Sequence, residues 1–278
     1  MNDDLVLLER TSQNPHIATL TLNRPDKGNA LNTPMLVALT SKLDEVERDT
    51  SIRVMIMRSA GDNASFGADL NELVAKGPAG YTNIDWDDAT KHIDDGRIVA
   101  EKLFLLRVPT IGIIHGYCLG GGAEMYTMCD ILYGASGGPE QGGMFYGFPE
   151  TTIGVMPGWM GPEILIKRIG PGFARDLLYT GRTINGDEAL RMGIVRALYL
   201  KGELLAAAMT WATAVAANAP LAVESTRRVI NNILFPDFMS VMGSTGSETA
   251  DNLMSSDFVK GATKILNKET TQPEYERG

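Results

Sequence analysis

Cysteine is scarce: the 278 residues contain two, Cys118 and Cys129. Two are too few for a disulfide framework and lack metal-site spacing, so both are expected to be buried free thiols. Positive charge is short as well. Lys and Arg number 25 against 34 Asp and Glu, for a net charge of −9. A nucleic-acid groove wants a basic stripe, so the balance argues against that partner, though a local basic patch for a phosphorylated ligand is compatible with it. No apolar run approaches the roughly 20 residues of a membrane-spanning helix, so no membrane partner is expected. The first five residues, Met1 to Leu5, are acidic and resemble neither a secretory signal nor an Arg-rich transit peptide, which makes the cytoplasm the expected compartment. The hydrophobic fraction is 44% and the charged fraction 21%, as in an ordinary globular protein. At this length the chain can form one large domain or a domain with an appendage.

The stretch His115 to Asp130 organises the rest. It follows a short apolar run, Thr110 to Ile114, of the length of a buried strand. Gly120, Gly121 and Gly122 then let the backbone come close to whatever lies above it. From Ala123 the pattern becomes helical, with Met125, Met128 and Cys129 sharing a face. The first N–H groups of such a helix lack internal partners and form an anion receptor. Glu124 stands in that first turn, and an anion hole beside a carboxylate is half of an active site.

Two further segments extend this site. Ser65 to Leu73 follows the apolar strand Val54–Met57, and Gly67 before Ala68 suits a second tight turn that presents an N–H. Phe148 to Gly158 is a loop carrying another carboxylate, Glu150.

Elsewhere, Leu5–Leu8 and His16–Leu22 read as strands joined by a turn at Gln13-Asn14-Pro15. Thr33 is the expected cap of a helix with Pro34 at its first position and Leu36, Leu39, Leu43 and Val46 on its apolar stripe. Strand-then-helix units favour α/β with parallel strands. Residues 76–95 read as a polar surface loop with a short helix, and a helical pattern resumes at Ile98. The glycine-rich segment 135–143 reads as a flexible surface insertion, with a loop over the site as the alternative. Asn185 to Glu188 resembles a capping box ahead of a short helix ending near Gly193. Beyond Lys201 the chain is helical. His115 and Asp130 are expected to be structural.

The segments Asn23 to Leu31, Gly67 to Leu70, Gly116 to Gly122, Cys129-Asp130, Pro149-Glu150, Ile153-Gly154, Pro157-Gly158 and Thr180-Gly181 resemble, in order, those of the crotonase superfamily, the enoyl-CoA hydratase/isomerases. The resemblance runs from about Ile17 to Val195 and more weakly to Lys268. It implies a crotonase-type spiral of repeated strand–strand–helix units over residues 1–200. A C-terminal helical region over 201–278 would cover the site and make trimer contacts without being an independent domain. It also implies an acyl-CoA thioester substrate, a homotrimer or dimer of trimers, and no metal or redox cofactor, since coenzyme A is part of the substrate.

For enoyl-CoA hydration the resemblance assigns the oxyanion-hole N–H groups to Ala68 and Gly121. It makes Glu124 and Glu150 the catalytic pair, the first activating water and the second transferring a proton at the α-carbon. Gly67, Asp69, Leu70 and Gly120 belong to the same substrate-binding segments, and Arg24, Lys27 and Lys268 are candidate coenzyme A contacts. The last helix lacks the dense basic run usual in the family, which puts an inter-subunit contact through Lys268 in doubt. Trp159 and Met160 stand where the family usually has small residues, so Trp159 is expected to reshape the acyl pocket. Other superfamily reactions remain as alternatives: enoyl-CoA isomerisation, dienoyl-CoA hydration, or C–C bond hydrolysis. More remote is an RNA-binding relative.

Overall fold

The computed structural model describes residues 5–11, 14–77, 80–236, 246, 249–271, 273 and 275. The chain opens with β1 (Val6–Arg10) and β2 (Ile17–Leu22), paired antiparallel. Helix α1 (Thr33–Arg48) follows. Its cap is Asn32, whose side chain accepts from the Met35 N–H, so Thr33 becomes the first helical residue and not the cap. The amide oxygen of Asn32 takes one of the orphan donors of the first turn, while Thr33 instead gives its N–H and hydroxyl to Glu72.

β3 (Val54–Ser59) lies parallel to β2 and to β6 (Thr110–Ile114). β8 (Ile131–Ala135) and β11 (Ala197–Tyr199) continue the parallel sheet, giving six strands in the order β1-β2-β3-β6-β8-β11. A second sheet holds β7 (Tyr117–Leu119), β9 (Phe145–Gly147) and β10 (Thr183–Asn185), in the order β10-β9-β7. With α4 (Gly121–Thr127) and α5 (Gly161–Thr180), the chain runs β6–β7–α4 and then β8–β9–α5. Each such turn places one strand in the large sheet, one in the small sheet, and then a helix. This is the strand–strand–helix spiral.

The large sheet is buried on both faces, which is why β2, β3 and β6 read as nearly continuous apolar runs. On one face Ile17, Val54, Ile56, Ile111 and Ile113 pack against α7 (Leu204–Ala216). Leu204, Ala208, Ala212 and Ala216 recur every four residues on that helix, and their small side chains let it lie close to the sheet. The other face carries the main core with α1 and α3 (Trp86–Leu105).

α3 spans Trp86–Leu105, capped by Asp85, and is preceded by the short helix α2 (Leu70–Leu73) and a two-stranded hairpin, β4 (Val74–Gly77) with β5 (Gly80–Asn83). This corrects the expectation of a polar surface loop with only a short helix over residues 76–95: the helix begins at Trp86 and runs on through the pattern expected from Ile98. The aspartates and Lys91 lie on the outer side of a helix whose inner face is Ala89, His92, Ile93, Gly96, Val99 and Ala100. Five of those six residues are small or aliphatic, and the charged majority between them hides the stripe.

The short helix after Asn185 is α6 (Gly186–Met192), closed by Gly193 in a left-handed conformation. Asn185 accepts from Glu188 N–H, but the Glu188 carboxylate turns to Arg182 and does not close a reciprocal box. Asp130 accepts from Thr110 N–H and from Arg227, a structural role. Cys118 and Cys129 are buried free thiols.

Candidate active site

Two backbone segments meet where β3 and β7 end. Ser65 bridges Cys118, and Ala68 bridges Leu31. Between them Gly67 adopts φ +85°, and a Cβ there would lie 2.8 Å from the Leu119 carbonyl and 3.1 Å from the Gly121 nitrogen. Glycine is therefore required on two counts, for the left-handed backbone and for the approach. Leu31 N–H donates to Gly67 O at 2.8 Å and Asp69 N–H donates to Leu31 O at 3.1 Å. These bonds pin the flanks of Ala68 and leave its own N–H unused.

Gly121 opens α4, so its N–H has no helical partner. Among the described residues, no protein acceptor takes the N–H of Ala68 or of Gly121. Gly120, at φ +52°, donates its N–H to Gly147 O at 3.0 Å and is not a third donor. Two unengaged N–H groups thus stand on neighbouring backbone segments, the composition of an oxyanion hole.

Glu124 is buried, at 2% exposure. Its Oε2 accepts from the N–H groups of Trp159 at 2.8 Å and Gly161 at 2.6 Å, the entry to α5. Burial pushes its carboxyl well above the ordinary carboxylate range; the charge of Glu150 adds to this, and the two N–H donors oppose it. Glu150 sits on a 3-10 turn, Pro149–Ile153. A Cβ on Gly120 would meet its Oε1 at 2.9 Å, so the carboxylate lies directly over the glycine turn. Its Oε2 is buried without a hydrogen-bond partner, and burial pushes the group up to about 8. The two acids interact, so their protons belong to the pair.

Trp159 is 4% exposed. Its indole lies against two glycines: a Cβ on Gly96 would come within 1.9 Å of the ring and one on Gly121 within 2.2 Å. It also meets the His92 ring, with centroids 5.6 Å apart. Trp159 therefore fills the space between α3 and the candidate oxyanion donor. Met160 after it has φ +75° and opens α5. Gly96 and His92 were not singled out from the sequence: His92 stands in the segment read as mostly loop, and Gly96 falls between it and the helical pattern that resumes at Ile98. The one available signal, a glycine in the middle of a helical pattern, becomes visible only once α3 is known to start at Trp86.

Arg24 and Asp69 stand one layer behind. Arg24 donates to Asp69 at 2.7 Å and to Ala30 O at 2.9 Å, so its guanidinium holds the loop instead of projecting outward. Asp69 also caps α2 through Asn71 N–H. Burial pushes the Asp69 carboxyl up, but hydrogen bonds from Arg24 and Asn71 outweigh this and leave it below its ordinary value. Leu70 begins α2 and is half-buried. Lys27 and Lys268 are exposed. The structure thus brings together Gly67, Ala68, Gly120, Gly121, Glu124, Glu150 and Trp159, with Arg24, Asp69 and Leu70 as their support.

His115 donates its Nε2–H to Gly61 O at 3.0 Å, tying the end of β6 to the loop after β3. The 135–143 segment forms a tight turn through Pro139–Gln141 and, with Tyr117, Phe145 and Lys201, lines a polar surface cavity.

The profile described as "Enoyl-CoA hydratase/isomerase" matches residues 12–276. The chain is 32% identical over 227 residues to the short-chain-enoyl-CoA hydratase of Clostridium acetobutylicum, covering 81% of this chain and 80% of that one. It is 30% identical over 219 residues to the 2,3-dehydroadipyl-CoA hydratase of Escherichia coli, covering 79% and 80%. Among solved structures, an enoyl-CoA hydratase from Bacillus anthracis superposes with a TM-score of 0.75 at 28% identity over 98% of both chains. One from Mycobacterium avium subsp. paratuberculosis superposes with a TM-score of 0.83 at 19% identity over 98% of both, a likeness of fold. With its profile matched over nearly the whole length, the chain belongs to the enoyl-CoA hydratase/isomerase family.

Proposed function

We propose that the protein adds water across the 2,3 double bond of a short 2-enoyl-CoA thioester. The observation that carries this reading is the pair Glu124 and Glu150, both with raised proton affinity, beside the unengaged N–H groups of Ala68 and Gly121. The thioester oxygen accepts from the two N–H groups, which stabilise the enolate as it forms. With the coupled pair holding a single proton, Glu124 is the ionised member, its charge held by the N–H groups of Trp159 and Gly161, and it takes a proton from water as hydroxide adds to C3. Glu150, protonated at neutral pH, gives its proton to C2. The pair ends with its proton exchanged, and loss of product with proton equilibration restores it.

The names of the Clostridium and Escherichia coli relatives support hydration. Trp159 against Gly96 and Gly121 supports a short acyl group, because the indole takes up room beside the oxyanion donor. Lys27, exposed beside the loop, is the candidate cation for the charged end of coenzyme A. No metal or redox cofactor enters this chemistry. The exposed apolar side chains Leu221, Val229, Ile230 and Ile233 on α8 (Pro220–Leu234) support a homotrimer or dimer of trimers. Residues 1–200 form the catalytic spiral in this reading, and 201–278 cover and assemble it.

The test is loss of enoyl absorbance with crotonyl-CoA and with longer, branched and dicarboxylic enoyl-CoAs. Hydration of the short members is expected. If none is hydrated while a 3-enoyl-CoA is shifted to its 2-enoyl isomer, the isomerase reading replaces this one.

A further inference from the structure

The parallel strands β3 and β6 end at a second cavity, apart from the two glutamates. It encloses about 470 Å³ and is lined by Arg58, Ser59, Gly61, Ile113, His115 and Lys201 with the first residues of α7. Arg58 and Ser59 are the last residues of β3, and His115 follows the last residue of β6. The crevice beyond the carboxyl ends of parallel strands is the usual place for a ligand in such sheets.

Three cation-forming side chains converge there in a chain whose net charge is −9. Their closeness is also electrostatic: burial first, and then Lys201 and Arg58, hold the His115 imidazole below its ordinary value, against the hydrogen bond to Gly61 O. The negative counterweight is small. Asp62 pairs with Lys201 at 3.0 Å, but its side chain is 93% exposed and lies at the rim. Arg58 is different. Among the described residues no hydrogen bond or ion pair engages its side chain, and its Nε is buried without a partner. A guanidinium presents five donors in a planar fork suited to an oxyanion, and leaving one partly buried and unpaired is costly. α7 begins next to it without a side-chain cap, which adds the positive end of a helix to the same wall.

We propose that this cavity is a phosphate-binding site, with Arg58 gripping the phosphoryl oxygens and Lys201 closing over them from the rim, while His115, its Nε2–H held by Gly61 O, lines the wall. The recognised chemistry is a phosphoryl dianion. It could arrive as free phosphate or a small phosphate ester, or as the 3′-phosphate of a coenzyme A molecule. The inference does not rest on the hydratase reading, since binding is measured without turnover.

The experiment is calorimetric titration of inorganic phosphate into the full-length protein at low ionic strength, against chloride as the salt control. Wild type is expected to bind phosphate saturably at one site. Arg58→Gln is expected to weaken it about tenfold or more, the order of one lost charge-assisted contact. Lys201→Gln, a surface change that leaves the fold intact even if Arg58→Gln perturbs it, is expected to weaken binding in the same direction. Lys91→Gln, on the outer side of α3, is expected to leave it unchanged. No phosphate heat above the chloride control overturns the site. So does equal affinity in wild type, Arg58→Gln and Lys201→Gln, or an equal loss in Lys91→Gln. A second arm identifies the source. If coenzyme A displaces phosphate from wild type and dephospho-coenzyme A does not, the site receives the 3′-phosphate of the substrate. If neither displaces it, the ligand is a free phosphate compound.

Discussion

Trp159 touches the site from two directions: its backbone N–H donates to Oε2 of Glu124 at 2.8 Å, while its indole lies against Gly121. One residue thus holds a candidate catalytic carboxylate and shapes the space beside a candidate oxyanion donor. The backbone part survives substitution and the side-chain part does not, so the two roles separate experimentally.

Trp159→Gly is expected to shift preference toward longer or bulkier acyl groups and to leave coenzyme A affinity nearly unchanged. Removing the buried indole also costs stability, about 3–5 kcal/mol by analogy with other large-to-small core changes. Specificity constants over a series of acyl lengths, with a denaturant titration alongside, check both. Equal losses at every length would assign the indole to packing alone.

Gly96→Ala is the converse change. Its new Cβ would fall 1.9 Å from the indole, so the ring or α3 must move, at a cost of about 1–3 kcal/mol. Combining it with Trp159→Phe, which shortens the ring system, is expected to recover part of the loss. A double-mutant cycle by chemical denaturation measures that coupling, and strict additivity would show that the two residues are not in contact in solution.

Glu124→Gln and Glu150→Gln are each expected to lower kcat by at least about a hundredfold, the scale of general acid–base contributions. Thioester binding should change little, because Ala68 and Gly121 act through the backbone. Glu124→Gln keeps an oxygen that can accept from Trp159 and Gly161, so its fold is expected to hold. The double variant should be far less than multiplicatively worse, since both acids serve one water. Full hydratase activity in Glu124→Gln would rule out the two-carboxylate mechanism.

The raised proton affinity of Glu150 has a consequence for stability. Its carboxyl is pushed up to about 8 in the fold, from 4.5 in the unfolded chain. Between those values the folded state carries a proton that the unfolded state has released. The stabilisation from this group is complete below about pH 4.5 and is lost as pH rises through about 8, changing by about 1.4 kcal/mol per pH unit. Relative to wild type, Glu150→Gln should therefore gain stability as pH rises across that window and level off above it. Tm values of the two proteins from pH 5 to 9 test this; a constant difference would place the Glu150 carboxyl in a far more solvated setting. In the activity profile of wild type, the same deprotonation predicts a falling limb near pH 8, because Glu150 must hold its proton to deliver it.

The sequence by itself determined the parts of this protein that depend on local backbone rules. The strand–glycine–helix junction at Gly120–Gly122, the tight turn at Gly67, the buried strands Val54–Met57 and Thr110–Ile114, and the short helix closed by Gly193 follow from spacing and from positions that only glycine tolerates. The order of family segments added the spiral and drew attention to Glu124 and Glu150. Tertiary structure decided what depends on residues far apart in the chain. α3 was obscured because its outer face is densely charged and its inner face earns its place only by packing on Trp159 and the core. Arg24, read as a ligand contact, is committed to Asp69, a partner 45 residues away that no local pattern reveals. The wedge of Trp159 between Gly96 and Gly121, and the meeting of Arg58, His115 and Lys201 at one cavity, likewise exist only once the strands are laid side by side. Proton affinities belong to the same class, since burial and the neighbouring carboxylate set them and neither is written in the residues flanking Glu124 or Glu150.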